Sequence, residues 1–245
     1  MNAHNGFSIA RRSPFVLGLV MVKLKFSRFL LLAPIFILFA GGVLSASVNK
    51  VTPSAACVTL NFTGQIDFAA RTAFYNNQEI SVPSSVALLK DNSHVLGVAS
   101  PGERWIEVDL SEQKLRAWDK NSLFLETLVS TGLPGTPTPT GEFRVWVKLR
   151  ATKMEGGQGR YYYNLPNVPF VMYFENDSVP GWRGFGIHGT YWHDDFGTPH
   201  SHGCVNVPTT VAQELYYWAT PELPAGRQSV FADSSNAGIR VVIHD

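Results

Sequence analysis

No charge of one sign dominates this chain. Its 20 Lys and Arg against 19 Asp and Glu leave a formal net charge of +1. That balance excludes the basic field of a nucleic-acid binder and the acidic tail that would seek a basic partner. Phosphate-loop, dinucleotide and basic-aromatic signatures are also missing, which removes the nucleotide-dependent classes. There is no internal repeat. Cysteine is scarce, with only Cys57 and Cys204. In an exported protein such a pair invites a disulfide, but that bond would consume the cysteine in the most distinctive setting of the chain.

Glycine and proline are plentiful, at 21 and 15 residues, and short β-branched and aromatic runs lie between them. With 45% apolar residues and 16% charged, this describes a β-rich globular chain with a sizeable core and many turns. Residues 1–47 read as an export leader. Lys23, Lys25 and Arg28 precede a 16-residue apolar run, Phe29 to Leu44, and Ser45, Ala46 and Ser47 follow it. The competing reading is an uncleaved anchor, although the run is shorter than the roughly 20 residues of a spanning helix. Met21 is the better-proportioned start. Residues 48–102 form an accessory segment, with strands expected at Val58–Phe62 and Val86–Leu89.

From Trp105 the pattern sharpens, and residues 103–245 read as one domain. Strands are expected at Trp105–Leu110, Leu115–Trp118, Phe124–Thr131, Glu142–Leu149, Phe170–Phe174, Gly184–His188 and Ile239–Ile243. Residues 131–141 must be an ordered turn, and 153–159 a glycine-rich flap. Thr210 with Gln213 forms a capping-box pattern for a short helix that Pro221 ends.

The stretch His188–Pro208 holds four of the seven histidines and Cys204. A thiol attacks only as thiolate, and a nearby imidazole can take its proton. Were residues 200–204 extended, His200, His202 and Cys204 would share a face. Main-chain N–H groups at Gly203 and Cys204 could then hold an oxyanion. Spacing alone leaves the base open between His202 and His188. A zinc site from His188, His193, His200, His202, Cys204, Asp194 and Asp195 has no recurrent ligand spacing, so no metal is assigned and no cofactor is called for. His193 and His200 read as loop residues rather than catalysts.

Ile187-His188-Gly189-Thr190 with Ser201-His202-Gly203-Cys204-Val205-Asn206 resembles the active-site signature of the L,D-transpeptidases, the YkuD-type catalytic domain of bacterial cell-wall enzymes. Thr138-Pro139-Thr140-Gly141-Glu142-Phe143 and the strand Pro169–Phe174 extend the resemblance, which spans Trp105 to about Ile243. It implies a mainly β fold of YkuD type, a curved sheet or sandwich with a short helix after the catalytic loop. It further implies Cys204 as nucleophile, His188 as its base held by a carbonyl near Gly189, and His202 and Gly203 at the oxyanion. Ser201, Asn206, Gly189, Tyr173, Gly184 and Met154 would contact or brace substrate. Tyr161, Tyr162, Tyr163, Trp182 and Trp192 are aromatics that could border the cleft or could equally be ordinary packing.

The implied partners are peptidoglycan stem peptides, with carbapenem-type inhibitors as a ligand class. The implied location is the periplasm or cell envelope, with membrane contact only through the leader if uncleaved. The rival readings are a cell-wall cysteine endopeptidase or L,D-carboxypeptidase, and a non-catalytic wall-binding module.

Overall fold

A computed structural model describes residues 61–88 and 103–245. The leader, Met21, Cys57 and the beginning of the Val58–Phe62 run lie outside the described residues. So does Leu89 at the end of the second expected accessory strand.

The chain is mainly β, as expected, and its strands join in one open mixed sheet. Its spine is a long bent hairpin, β6 (Gly141–Gly156) and β7 (Tyr163–Glu175). Register shifts at Val145/Val147 and Thr152/Met154 bend it, because an extra residue in one strand curls the pair. Both outer edges of this hairpin are shared. β6 pairs with β11 (Arg240–His244) along Gly141–Arg144 and with β10 (Ser229–Phe231) along Val147–Leu149. β7 pairs at its start with β1 (Thr72–Tyr75) and near its end with β8 (Gly186–Thr190). Beyond β11 lie β3 (Arg104–Asp109), β4 (Lys114–Asp119) and β5 (Ser122–Leu128).

The alternating sequence explains the last three-strand segment. Ile106 and Val108, Leu115 and Ala117, and Val241 and Ile243 are all buried on one face. Each large side chain so buried contributes roughly 1.5–3 kcal/mol. The opposite face is covered by stacking of Trp105 on Trp118 and by Arg116, which pairs with Glu107, Glu112 and Glu126.

β9 (Val205–Pro208) runs parallel to β8 and leads directly into α2 (Thr209–Trp218). Ala212, Leu215, Tyr216 and Trp218 form the buried face of α2. Lys148, itself buried, donates from Nζ to the carbonyls of Tyr216 and Ala219 at 2.5 and 2.6 Å. The Lys148 amine thus caps the carbonyl end of the helix.

Four expectations differ from the structure. Val86 lies in a helix, α1 (Ser84–Leu88), because a short apolar run does not by itself distinguish helix from strand. Residues 153–156 belong to β6, so the expected flap is a hairpin tip of residues 157–162. The capping box does not form: Pro208 occupies the N-cap without a side-chain bond, and Thr209 Oγ1 donates to the Thr190 carbonyl instead. Residues 61 and 62 are not in a strand.

The accessory segment contributes β1 and β2 (Gln78–Ser81), a hairpin whose Asn76 and Asn77 sit at φ 52° and 59°. Two consecutive left-handed residues make the turn that matches strand twist, and asparagine tolerates it. Among the described residues no helix is long and apolar enough to cross a membrane.

Candidate active site

The parallel pairing of β8 with β9 brings the two halves of the motif together. Ile187 lies opposite Val205 and His188 opposite Asn206. His188 and Cys204, sixteen positions apart in sequence, therefore line one cavity, together with Met154, Ser201, His202 and Asn206. The cavity is small, about 30 Å³.

His188 is 2% exposed. Its Nδ1 lies 3.1 Å from the Gly189 carbonyl oxygen. A carbonyl only accepts, so Nδ1 carries the proton and Nε2 is left with its lone pair. Burial pushes this imidazole down to about 4 from an ordinary 6.5, while the Gly189 carbonyl opposes the shift and nearby His193 adds to it. At neutral pH the ring is an uncharged acceptor. Gly189 is required here by close approach, since a Cβ would sit 2.9 Å from Pro169 Cγ and 3.2 Å from the Pro169 carbonyl oxygen.

Cys204 is in no disulfide and is 4% exposed. Its Sγ faces the Gly184 carbonyl at 3.5 Å. Residues 202–204 form a bend rather than the extended backbone expected, yet His200, His202 and Cys204 all line the one cavity. The bend turns on Gly203 at φ +119°, where a Cβ would lie 2.5 Å from Phe185 Cε1. Ser201 Oγ donates to the Cys204 carbonyl at 2.5 Å and accepts from Gly203 N at 3.0 Å. The Gly203 N–H expected at an oxyanion is thus engaged by Ser201.

The proline-rich turn supports this bend from below. The Thr131 carbonyl accepts from the N–H groups of His200 and Ser201, and Leu133 N donates to the Ser201 carbonyl. Thr138 Oγ1 accepts from Gly132 N at 2.9 Å, which closes the turn on itself. The Thr138 motif therefore acts through backbone geometry.

Asn206 is 2% exposed. Its Nδ2 donates to His193 Nε2 at 2.8 Å, and burial holds His193 down at about 4. His202 packs against Tyr163, with ring centroids 4.8 Å apart, and burial lowers its pKa.

The structure brings some expected residues to the cavity and leaves others behind it. Gly184 and Gly189 serve it through their carbonyls. Tyr173, named as a substrate contact, is 1% exposed and stacks on Trp146 in the core. Trp182 is 70% exposed and does not line the cavity. Trp192 and Tyr163 do line it, joined by Leu165, His200 and Tyr75. The sequence reading missed Tyr75 because it lies in the accessory segment. It passed over His200 as a loop residue, although its place two residues before His202 was the available signal. Among the described residues no three His, Cys, Asp or Glu side chains converge as metal ligands.

No curated protein matches the chain significantly. Among solved structures it is similar to a mutant Enterococcus faecium L,D-transpeptidase, at 28% identity over 58% of this chain and 50% of that one, with TM-score 0.44. It is also similar to the catalytic domain of an E. faecium L,D-transpeptidase, at 29% identity over 58% and 97%, with TM-score 0.41. A third is Mycobacterium tuberculosis L,D-transpeptidase 3 in complex with a faropenem-derived adduct, at 19% over 58% and 60%, with TM-score 0.42. The chain spans about half the length of the first of these. The YkuD family, the L,D-transpeptidase catalytic domain, matches residues 103–243, more than half of the sequence, and the chain belongs to that family.

Proposed function

We propose that this protein is an exported L,D-transpeptidase that acts on peptidoglycan tetrapeptide stems through a Cys204 thioester. The observation that carries the reading is the tautomer of His188. Its Nδ1–H is committed to the Gly189 carbonyl, so the basic Nε2 is left for the cavity that the Cys204 thiol also lines.

In the first step Cys204 Sγ attacks the carbonyl carbon of the third stem residue as its proton passes to His188 Nε2. The C–N bond to the terminal D-alanine breaks, and the departing amine takes that proton. A thioester remains. In the second step the amine of a neighbouring stem attacks the thioester carbonyl and gives its proton to Nε2. The C–S bond breaks, the proton returns to sulfur, and a 3→3 cross-link is formed. The Gly184 carbonyl accepts from the resting thiol, and Ser201 holds the Cys204 loop through its main chain during both steps. Asn206, braced by His193, presents a fixed amide to the donor.

The test is a pair of measurements. Wild-type protein incubated with tetrapeptide muropeptides gives cross-linked dimers and free D-alanine, and Cys204→Ala gives neither while keeping the wild-type melting profile. A carbapenem adduct of unchanged yield in Cys204→Ala defeats the assignment. Cleaved monomers without dimers in the wild type favour the endopeptidase or carboxypeptidase reading.

A further inference from the structure

Tyr75 lies outside the 103–243 family domain, yet it shares the cavity wall with Cys204 and His188. We propose that Tyr75 is a specificity-determining residue of this site, its ring being the wall that limits the size of the acyl donor reaching the sulfur. The proposal rests on the Cys204 reading above.

Three observations place the ring and hold it there. The hairpin that carries it is anchored by main chain. β1 and β2 pair over four rungs, Phe74 pairs with Asn164 of β7, and Asn77 N donates to the Tyr162 carbonyl at 2.9 Å. Strand alternation then sends Ala73 and Tyr75 to one side and Phe74 to the other. Ala73 is 1% exposed, whereas Phe74 is 37% exposed and lies near Tyr162, away from the cavity.

The ring itself packs between neighbours of the catalytic pair. Its centroid is 6.3 Å from Trp192, which contacts His188, and 6.0 Å from His193, which holds Asn206. The hydroxyl reaches only 3.5 Å from the His200 carbonyl oxygen, a long contact, so the ring rather than the hydroxyl fixes the wall.

Scale makes the ring decisive. A cavity of about 30 Å³ has room for only about two or three water molecules. The walls made by Ser201, Cys204, Asn206 and His188 are tied into the sheet and the turn beneath it. Tyr75 is the wall residue supplied by the separate β1–β2 hairpin.

The test uses two reagents with one warhead, iodoacetamide and iodoacetamidofluorescein, on the full chain. The rate of modification is read by mass at the peptide containing Cys204. Tyr75→Ala raises the ratio of bulky to small reagent rates about tenfold, the scale on which pocket size discriminates. Tyr75→Phe, which keeps the ring, and Phe74→Ala, on the other side of the same strand, leave the ratio unchanged. With tetrapeptide muropeptide, Tyr75→Ala raises KM several-fold more than it lowers kcat.

An unchanged ratio in Tyr75→Ala overturns the proposal. So does an equal rise in Phe74→Ala, which would assign the effect to the hairpin as a whole. Should the alanine variant not fold, Tyr75→Val keeps strand propensity and answers the same question. If wild-type protein makes no product from muropeptide, the function above fails, and the reagent ratio still decides the wall.

Discussion

Acidification offers the most direct measurement on the catalytic pair. Burial holds His188 at about 4 instead of 6.5. A shift of that size disfavours the imidazolium by about 3 kcal/mol at equilibrium. General-base attack needs the uncharged ring, so the acid limb of the acylation rate reports the pKa of His188 in the free protein. With a value near 4, about 95% of the molecules hold a competent base at about pH 5.5, and an ordinary imidazole would leave only about 10%. The assay is the second-order rate of carbapenem acylation of Cys204, followed by intact mass between about pH 4 and 8. The expected rate at pH 5.5 is close to its neutral plateau. His193 titrates in the same range, and its charge lowers His188. His193→Gln, whose amide can still accept from Asn206, should therefore keep the limb and move it slightly to higher pH. A midpoint near 6.5 in the wild type would refute the argument, because it would mean that the base is solvated and the buried ring is a bystander.

Stability shows the same burial from another side. The unfolded chain protonates His188 before the folded chain does, so its contribution to stability is full above about pH 6.5 and falls by up to about 3 kcal/mol as pH drops toward 4, with His193 adding a loss in the same window; urea unfolding of wild type and His193→Gln across that window separates the two. Lys148 is buried and pushed down to about 7 from 10.5, so wild-type stability rises between about pH 7 and 10 by several kcal/mol. Lys148→Met should flatten that rise, measured as the difference between the two unfolding curves. Ser201→Ala removes the hydroxyl that holds both the Cys204 carbonyl and Gly203 N. Its expected cost is about 2 kcal/mol with a larger fractional loss of acylation rate than of stability, read by melting and carbapenem kinetics. Gly203→Ala forces a side chain into φ +119° and against Phe185, with a loss of about 2–4 kcal/mol and of acylation together.

Local pattern carried much of the fold. Trp105–Leu110 and Leu115–Trp118 alternate, and their buried faces fall where period two places them. Phe170–Phe174 is apolar at every position because this part of β7 is covered on both faces. The elements that escaped reading are those whose cause is tertiary. Val86 resolved to helix although its residue type favours strand. Thr210 and Gln213 matched a cap, but Pro208 arrives straight from β9 and fixes where the helix begins. The β1–β2 hairpin contains few β-branched residues, and its one strong signal was the Asn76-Asn77 pair.

The site divides in the same way, and the division has a chemical reason. Residue types announced the thiol, the imidazoles and the glycines, because those chemistries have few substitutes. What positions them is main chain from distant segments: Thr131 and Leu133 under Ser201, Gly184 facing the sulfur, and Gly189 on His188. Carbonyls and N–H groups are common to every residue, so no letter marks them. The same backbone scaffold explains how a ring held at about 4 can still serve as a base. Imidazolium is costly in that pocket alone, yet attack creates a negative tetrahedral centre beside it, and the two charges offset each other at short range. Under the proposed mechanism the proton moves when a donor carbonyl is seated against Cys204, which would confine the reactive thiolate to the productive complex.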